Sequence, residues 1–160
     1  MKNYYFIFLS FIIIVFSNCT PEPILGCTDS ESINYNATAT ESDGNCLYVS
    51  DLYVGNYVLN ETSIFKHSFF PIPDTTTQDR TFTIAKLENN KIELQGFLEP
   101  ACYLEAIVTE NVVEMINYPA FCFVFYDDTV RREGEKIIYT YKYRSTSSGE
   151  YVVTGVAIKE

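Results

Sequence analysis

The chain contains a single histidine, His67, and no tryptophan. One histidine excludes an acid–base pair of two imidazoles and a metal site with several histidine ligands. The sequence also lacks the Gly-x-Ser-x-Gly turn of serine hydrolases, a glycine-rich phosphate loop and a Cys-x-x-Cys metal motif. We expect the His67 side chain to be solvated in a loop. These absences predict a protein that is not an enzyme and uses no cofactor.

Positive charge is scarce. The chain has 11 lysines and arginines against 21 aspartates and glutamates, so its formal net charge at pH 7 is −10. Phosphate backbones repel a chain this acidic, and no basic patch offsets the repulsion, so we expect no nucleic-acid partner. The 160 residues suffice for one domain and a small appendage.

Long hydrophobic runs are also missing. A bilayer-spanning helix takes about 20 apolar residues, whereas the run Tyr4–Phe16 has 13. Lys2 precedes this run, and Ser17 and Asn18 follow it. A positive start, a short apolar core and small residues before a cleavage point are typical of a secretory signal peptide, which we assign to residues 1–18.

Cys19 follows this segment directly. A cysteine at the cleavage point resembles the lipobox of bacterial lipoproteins, although Asn18 stands where glycine, alanine or serine is usual. The resemblance implies cleavage before Cys19 and acylation of its sulfur. The mature chain would then be anchored by lipid in the cell envelope, on the periplasmic face of the outer membrane or at the cell surface. The alternative is an ordinary secretory signal followed by an unmodified cysteine.

The other four cysteines are Cys27, Cys46, Cys102 and Cys122. An exported chain meets an oxidising compartment, so we expect two disulfides, although four cysteines allow three pairings. We predict pairing in sequence order because the first two and the last two cysteines lie in segments of different character. Each bridge would close a loop of about 20 residues and contribute about 3 kcal/mol.

Two prolines in residues 19–25 favour extended backbone, and we assign this stretch to a short tether. Residues 26–48 are polar and rich in Asn, Asp, Ser and Thr, and they carry Gly26–Asp29, Asn34–Ala39 and Asp43–Tyr48. They resemble a cysteine motif of secreted Bacteroidetes proteins, which runs Gly-Cys-x-Asp, Asn-Tyr-Asn-x-x-Ala and Asp-Gly-x-Cys-x-Tyr. The resemblance indicates lineage more than activity.

The same segment contains Asp29, Asn34, Asn36 and Asp43. Their side-chain oxygens are the ligand type that Ca²⁺ prefers, which makes them candidate calcium ligands. Asn and Asp also form Asx-turns in loops that have little core. EF-hand spacing is absent, and we favour the turns over a metal site.

Residues 51–160 predict an all-β domain. They hold most of the 13 tyrosines and 12 phenylalanines, with frequent Val, Ile and Thr, which strands prefer. Windows that alternate with period two are separated by short turns, which predicts an antiparallel meander, closed as a barrel or packed as a sandwich. The predicted strands are Arg80–Leu87, Lys91–Leu98, Tyr103–Glu110, Asn111–Tyr118, Phe121–Tyr126, Lys136–Arg144 and Tyr151–Lys159.

Other stretches of this domain lack alternation. Ser63–Asp79 contains two prolines and no periodicity, so we predict a long loop that could form the rim of a binding site. Asp127-Asp128 and Arg131–Glu133 predict the solvated end of a hairpin. Asp74-Thr75-Thr76 and Asp128-Thr129-Val130 resemble an O-glycosylation sequon of exported Bacteroidetes proteins, which implies Thr75 and Thr129 as candidate glycan carriers.

Gly55 and Tyr57 open the domain. This start is similar to that of lipocalin-like domains, which have Gly-x-Trp there, and the resemblance implies a barrel able to hold a small ligand. Tyr139, Tyr141 and Tyr143 share one face of a predicted strand. They would line such a cavity or simply fill it, and without a visible polar anchor we expect them to fill it.

The sequence therefore predicts a non-enzymatic lipoprotein of the cell envelope, attached to the membrane by its lipid. Its barrel would bind a small apolar ligand or a glycan. The alternative is a structural or adhesive surface protein without a small-molecule ligand.

Overall fold

The computed structural model describes residues 21–68, 72–97, 103–117, 125–145 and 149–160. The chain divides into two compact units. The small unit comprises the described part of Met1–Ser30 together with Tyr35–Cys46, and the barrel unit comprises Glu31–Asn34 and Leu47–Glu160.

The small unit is held by a disulfide between Cys27 and Cys46, as predicted. Its regular structure is one pair of parallel two-residue strands, β1 (Leu25–Gly26) and β2 (Glu41–Ser42). The predicted tether thus ends before Leu25, because that residue pairs within the unit. Cys19, Cys102 and Cys122 lie outside the described residues, so the lipid anchor and the second disulfide remain predictions.

The barrel unit is an antiparallel up-and-down sheet of eight strands, preceded by a 3-10 helix at Val49–Leu52. This confirms the all-β meander. The strands are β3 (Gly55–His67), β4 (Asp74–Glu88), β5 (Lys91–Gln95), β6 (Tyr103–Val108), β7 (Val113–Asn117), β8 (Phe125–Glu133), β9 (Lys136–Ser145) and β10 (Gly149–Lys159). Among the described residues there is no helix long and apolar enough to cross a membrane.

The sheet is nearly closed into a barrel. The first strand β3 pairs with the last strand β10 over 11 positions, from Tyr57 opposite Lys159 to His67 opposite Gly149. The remaining seam lies between β7 and β8. There Val112 bridges to Arg131, and the N–H of Arg132 donates to the carbonyl of Asn111 at 2.9 Å. A sandwich is therefore excluded in favour of a barrel.

One end of the barrel is closed by tyrosines. Tyr53 is fully buried, and its hydroxyl donates to the carbonyl of Thr109 at 2.7 Å. The Tyr57 hydroxyl donates to the carbonyl of Tyr53 at 2.7 Å, and the guanidinium of Arg132 lies 5.7 Å from the Tyr53 ring centre. Burial raises the pKa of both tyrosines to about 12. Tyr57 thus belongs to the closed end, two residues after Gly55 begins β3.

The prediction of a long loop at Ser63–Asp79 is wrong. Ser63–His67 continues β3, and Asp74–Asp79 belongs to β4, so the connection is confined to residues 68–73. The alternation was not visible because the inward positions here are polar or aromatic rather than aliphatic. His67 accordingly ends a strand, and its Nε2 lies 2.9 Å from Oδ2 of Asp74.

The predicted hairpin end is confirmed for Arg131–Glu133, which end β8 beside the turn to β9, with the side chains of Arg131 and Glu133 exposed, but not for Asp127-Asp128, which lie inside β8. The turn follows Glu133, at Gly134 with φ +64°. A register shift between Tyr126 and Thr129 interrupts the pairing with β9 and hides the period-two pattern from the sequence.

Candidate functional site

The two ends of the barrel differ in construction. The connections β3–β4, β5–β6, β7–β8 and β9–β10 all leave from the end opposite the 3-10 helix, because the strands alternate in direction. β3, β4 and β10 have 13, 15 and 11 residues, whereas β5 and β7 have five each. Pairing of β4 with β5 begins at Thr83, so Asp74–Phe82 rises above the end of β5. The long strands therefore form a tall wall at this end.

The register of the tall wall sets its inward side chains in four successive rows across β4, β3, β10 and β9. The lowest of these rows is apolar apart from one arginine, the next contains a carboxylate, and the upper two contain polar and aromatic residues. The rows are Arg80–Leu59–Ala157–Ile137, Gln78–Glu61–Gly155–Tyr139, Thr76–Ser63–Val153–Tyr141 and Asp74–Phe65–Tyr151–Tyr143.

Glu61 lies in the second row and is 3% exposed, although it is a charged residue. Its Oε2 is 2.6 Å from a guanidinium nitrogen of Arg80 and accepts a hydrogen bond from the Tyr139 hydroxyl at 2.8 Å. Its Oε1 accepts from the Gln78 amide at 2.8 Å. The Tyr141 hydroxyl lies 3.5 Å from Oε2, at the limit of a hydrogen bond. We call these five residues the Glu61 cluster.

Gly155 makes this convergence possible. It stands between Glu61 and Tyr139 in the row, and a Cβ there would lie 2.3 Å from the Tyr139 hydroxyl oxygen and 2.5 Å from the ring carbon that bears it. Because glycine has no side chain, the tyrosine ring lies over the β10 backbone and its hydroxyl reaches the carboxylate on β3. A residue without a side chain is thus part of the site.

The electrostatics of the cluster follow from burial and from the carboxylate. Burial raises the pKa of Tyr139 and Tyr141 well above that of a free tyrosine, and the negative charge of Glu61 raises both further. Burial alone would lower the pKa of Arg80, but the adjacent Glu61 outweighs that effect and raises it. Both phenols therefore remain donors and Arg80 remains a cation at physiological pH.

An aromatic group occupies the rows above. The rings of Tyr143 and Tyr151 stack with centres 4.5 Å apart and planes 5° apart. Phe65 lies 4.4 Å from Tyr151, and its ring also meets the edge of His67 at 4.4 Å. The half-buried Ser63 and the exposed Thr76 and Asp74 lie on the same inward side. We call Ser63, Phe65, Asp74, Thr76, Tyr143 and Tyr151 the rim face.

The three tyrosines singled out from the sequence all point into the barrel, but they separate into two environments. Tyr139 and Tyr141 belong to the Glu61 cluster, and Tyr143 belongs to the rim face. Sequence reasoning missed the polar anchor at Glu61 and Arg80. The available signal was the position of Glu61, which falls in step with Tyr57 and Leu59 on the apolar side of its strand.

Two of the candidate calcium ligands, Asn36 and Asp43, make local hydrogen bonds of the Asx type. Oδ1 of Asn36 accepts from the Thr38 N–H at 3.0 Å, and Oδ1 of Asp43 accepts from the Asn45 N–H at 2.9 Å. Asn34, in the barrel unit, accepts from the backbone N–H of Leu47 at 2.8 Å. Within the described ranges no three His, Cys, Asp or Glu residues are grouped so as to hold a metal ion. Asp29 belongs to the small unit.

The two candidate glycosylation residues are both exposed. Thr75 lies on β4 opposite Ile64, and Thr129 lies on β8 opposite Thr140. Both side chains face outward, so the geometry leaves either one accessible. Modification of Thr75 or Thr129 remains a prediction.

No protein-family model matches this chain, and no curated protein matches it.

Proposed function

We propose that this protein is a lipid-anchored protein of the cell envelope whose barrel binds a small apolar molecule or a glycan and catalyses no reaction. The anchor is Cys19, which follows the predicted signal peptide at residues 1–18. The predicted tether follows the anchor directly in the sequence.

The binding proposal rests on the change in burial of the inward residues from one row of the wall to the next. Below Glu61 the inward residues Leu59, Ala157 and Ile137 are buried and form a packed core. Above it, the inward residues Thr76 and Asp74 of β4 are exposed, whereas Val153 and Tyr141 in the row of Thr76 are still buried. Ligand sites are usually lined by apolar and aromatic side chains with a few placed polar groups, and the inward residues above Glu61 are of these kinds.

Native mass spectrometry of the protein purified from its own host without denaturation tests ligand binding. We expect a reproducible non-covalent adduct whose mass identifies the ligand class. The adduct should be lost in Tyr143→Ala and retained in Tyr103→Ala, because Tyr103 is an exposed tyrosine on the outward side of β6. A bare polypeptide from the wild-type protein would contradict the proposal.

The lipid anchor is tested separately by metabolic labelling with radioactive palmitate. Label on the wild-type chain and none on Cys19→Ser is the expected result. Equal labelling of the two, or none on either, would remove the anchor from the proposal without affecting ligand binding.

A structural or adhesive role is the second candidate, and one observation favours it. Val58 and Ile158 are cross-strand neighbours on the outer wall and are 36% and 50% exposed. Adjacent exposed apolar residues are a feature of interaction surfaces. In that case Val58→Lys would abolish attachment of cells to a surface, while Tyr143→Ala would leave it unchanged.

A further inference from the structure

Two tyrosines from neighbouring strands are held against each other in the barrel. Tyr143 of β9 and Tyr151 of β10 are directly opposite in the register, so both side chains leave the sheet on the same side. Their ring centres are 4.5 Å apart, and the ring planes differ by 5°. Both residues are half-buried and pack against the core. The fold therefore keeps two phenols in contact with each other.

Contact between two phenols has a specific chemical consequence under oxidation. A one-electron oxidant takes an electron from each ring, and each hydroxyl loses its proton to water, which leaves two phenoxyl radicals. These radicals couple by forming a carbon–carbon bond between ring positions ortho to the oxygens. The hydrogens on the two bonded carbons then move to the oxygens and restore both phenols. The product has lost two hydrogen atoms, and hydrogen peroxide accepts the two electrons and two protons as it is reduced to water.

The separation of the two rings suits this bond. Phenol rings joined directly by a carbon–carbon bond have centres about as far apart as those of Tyr143 and Tyr151. Directly opposed strand residues have Cβ atoms about 4.5–5.5 Å apart, so the two side chains also start close together. Rotation about the side-chain bonds turns the stacked rings edge to edge. Groups held in this way react within one molecule, which is much faster than a reaction that needs two molecules to collide.

The neighbouring rings direct the coupling to this pair. Tyr151 also meets Phe65, with ring centres 4.4 Å apart, but a phenyl ring without a hydroxyl does not form a phenoxyl radical. Tyr139 and Tyr141 stack as well, with ring centres 5.8 Å apart. They are alternate residues of one strand, so their side chains start about 7 Å apart. The Tyr139 hydroxyl in addition donates to Glu61 at 2.8 Å. The cross-strand pair is therefore the favoured site of coupling.

We propose that Tyr143 and Tyr151 form a dityrosine bond when a haem peroxidase oxidises the protein with hydrogen peroxide. The bond joins β9 covalently to β10, the strand that closes the barrel against β3. The reaction needs no ligand in the barrel, so the inference is independent of the proposed binding function.

Peptide mapping by mass spectrometry tests the proposal on a dilute solution of the chain carrying Cys19→Ser, after treatment with a haem peroxidase and hydrogen peroxide. Trypsin cuts after Lys142 and Arg144, so the two tyrosines fall in separate peptides, Tyr143–Arg144 and Ser145–Lys159. We expect these two peptides to be joined, with the mass of two hydrogen atoms missing. The absence of this product, or a link within Ile137–Lys142 in its place, would overturn the proposal.

Matched variants test the identity of the two rings. Tyr151→Phe keeps an aromatic ring in the stack and removes one phenol, so the joined peptides should disappear. Tyr103→Phe removes the hydroxyl of an exposed tyrosine on the outward side of β6 and should leave their yield unchanged. Joined peptides from Tyr151→Phe, or an equal loss in both variants, would contradict the assignment.

A comparison of folded and unfolded protein tests whether the fold brings the pair together. Photo-oxidation by ruthenium tris(bipyridine) with persulfate works in urea, where a peroxidase would itself unfold. We expect about tenfold less of the joined peptides from the urea-unfolded chain, because its rings are no longer held in position. An equal yield from both states would show that closeness in sequence, rather than the contact in the barrel, causes the coupling, and the proposal would fail.

Discussion

The buried carboxylate of Glu61 makes a testable contribution to the free energy of unfolding. Its side chain is 4% exposed, and that of its partner Arg80 is 24% exposed. Removing one member of a buried ion pair leaves the other charge uncompensated and costs about 3–5 kcal/mol. Because water reaches part of Arg80, we expect Glu61→Ala to cost about 3 kcal/mol of unfolding free energy, the lower end of that range.

A second and a third variant separate the charge from the packing. Glu61→Gln keeps the size of the side chain and should cost about 2 kcal/mol, since charged hydrogen bonds become neutral. Replacing both partners, Glu61→Leu with Arg80→Met, removes both buried charges together. Such replacements are often neutral or stabilising, so the double variant should be more stable than Glu61→Ala.

Urea unfolding of the Cys19→Ser chain, followed by tyrosine fluorescence, measures these differences from the midpoint and slope. An unchanged slope would show that the variants alter stability rather than the unfolded state. If Glu61→Ala unfolds within about 0.5 kcal/mol of the wild type, a range ordinary for surface substitutions, the carboxylate is not a buried ion-pair partner and the cluster is wrong.

Three further predictions concern other parts of the fold. Gly155→Ala places a Cβ 2.3 Å from the Tyr139 hydroxyl oxygen, so it should cost about 1–3 kcal/mol in urea unfolding, and wild-type stability would contradict the packing. Tyr53 and Tyr57 have pKa values of about 12 when folded, against about 10 when unfolded. The unfolded chain therefore loses these protons at a lower pH than the folded chain does. The contribution of the two tyrosines to the free energy of unfolding is complete below about pH 10, and between pH 10 and pH 12 it falls by about 1.4 kcal/mol per pH unit for each ring. Urea midpoints across that range measure the loss, and a flat profile would refute it. Cys46→Ser opens a bridge between residues 19 apart and should weaken the small unit by about 3 kcal/mol, seen as faster hydrogen exchange of its amides.

The parts of the fold that could be predicted are those encoded by neighbouring residues. Period-two alternation identified the strands around Ile92 and Tyr139 because each contributes aliphatic or aromatic residues to a buried face. The disulfide of the small unit was predicted because Cys27 and Cys46 share a polar segment that differs in character from the segment of the later cysteines. Both signals lie within one stretch of chain, so no knowledge of the register was needed.

The Glu61 cluster could not be predicted because its partners are distant in sequence. Arg80 is 19 residues away and Tyr139 is 78 residues away, and only the strand register brings them opposite Glu61. The sequence shows that Glu61 alternates in phase with apolar residues, but it does not show which residues neutralise its charge. Without a known partner, such a residue predicts an exposed strand edge as readily as a buried pair.

The strand β10 illustrates another limit. The alternating residues Val152, Val156 and Ile158 share a face, which is the outer one, and Ile158 is half-exposed. The inner face of β10 includes Gly155 and Ala157, which look like weak core residues. The small size of Gly155 is required because the large ring of Tyr139 on β9 fills the space beside it, and this complementarity joins two strands.

The pairing of β3 with β10 also has a consequence for the order of events during synthesis. A chain made from its N-terminus delivers β3 early and β10 last, with Gly55 and Lys159 separated by nearly the whole unit. Until the last strand arrives, one edge of β3 has no partner, and an unpaired edge invites association with other chains. Barrel closure must therefore wait for the end of synthesis, and a chaperone that shields this edge would be most useful in that interval.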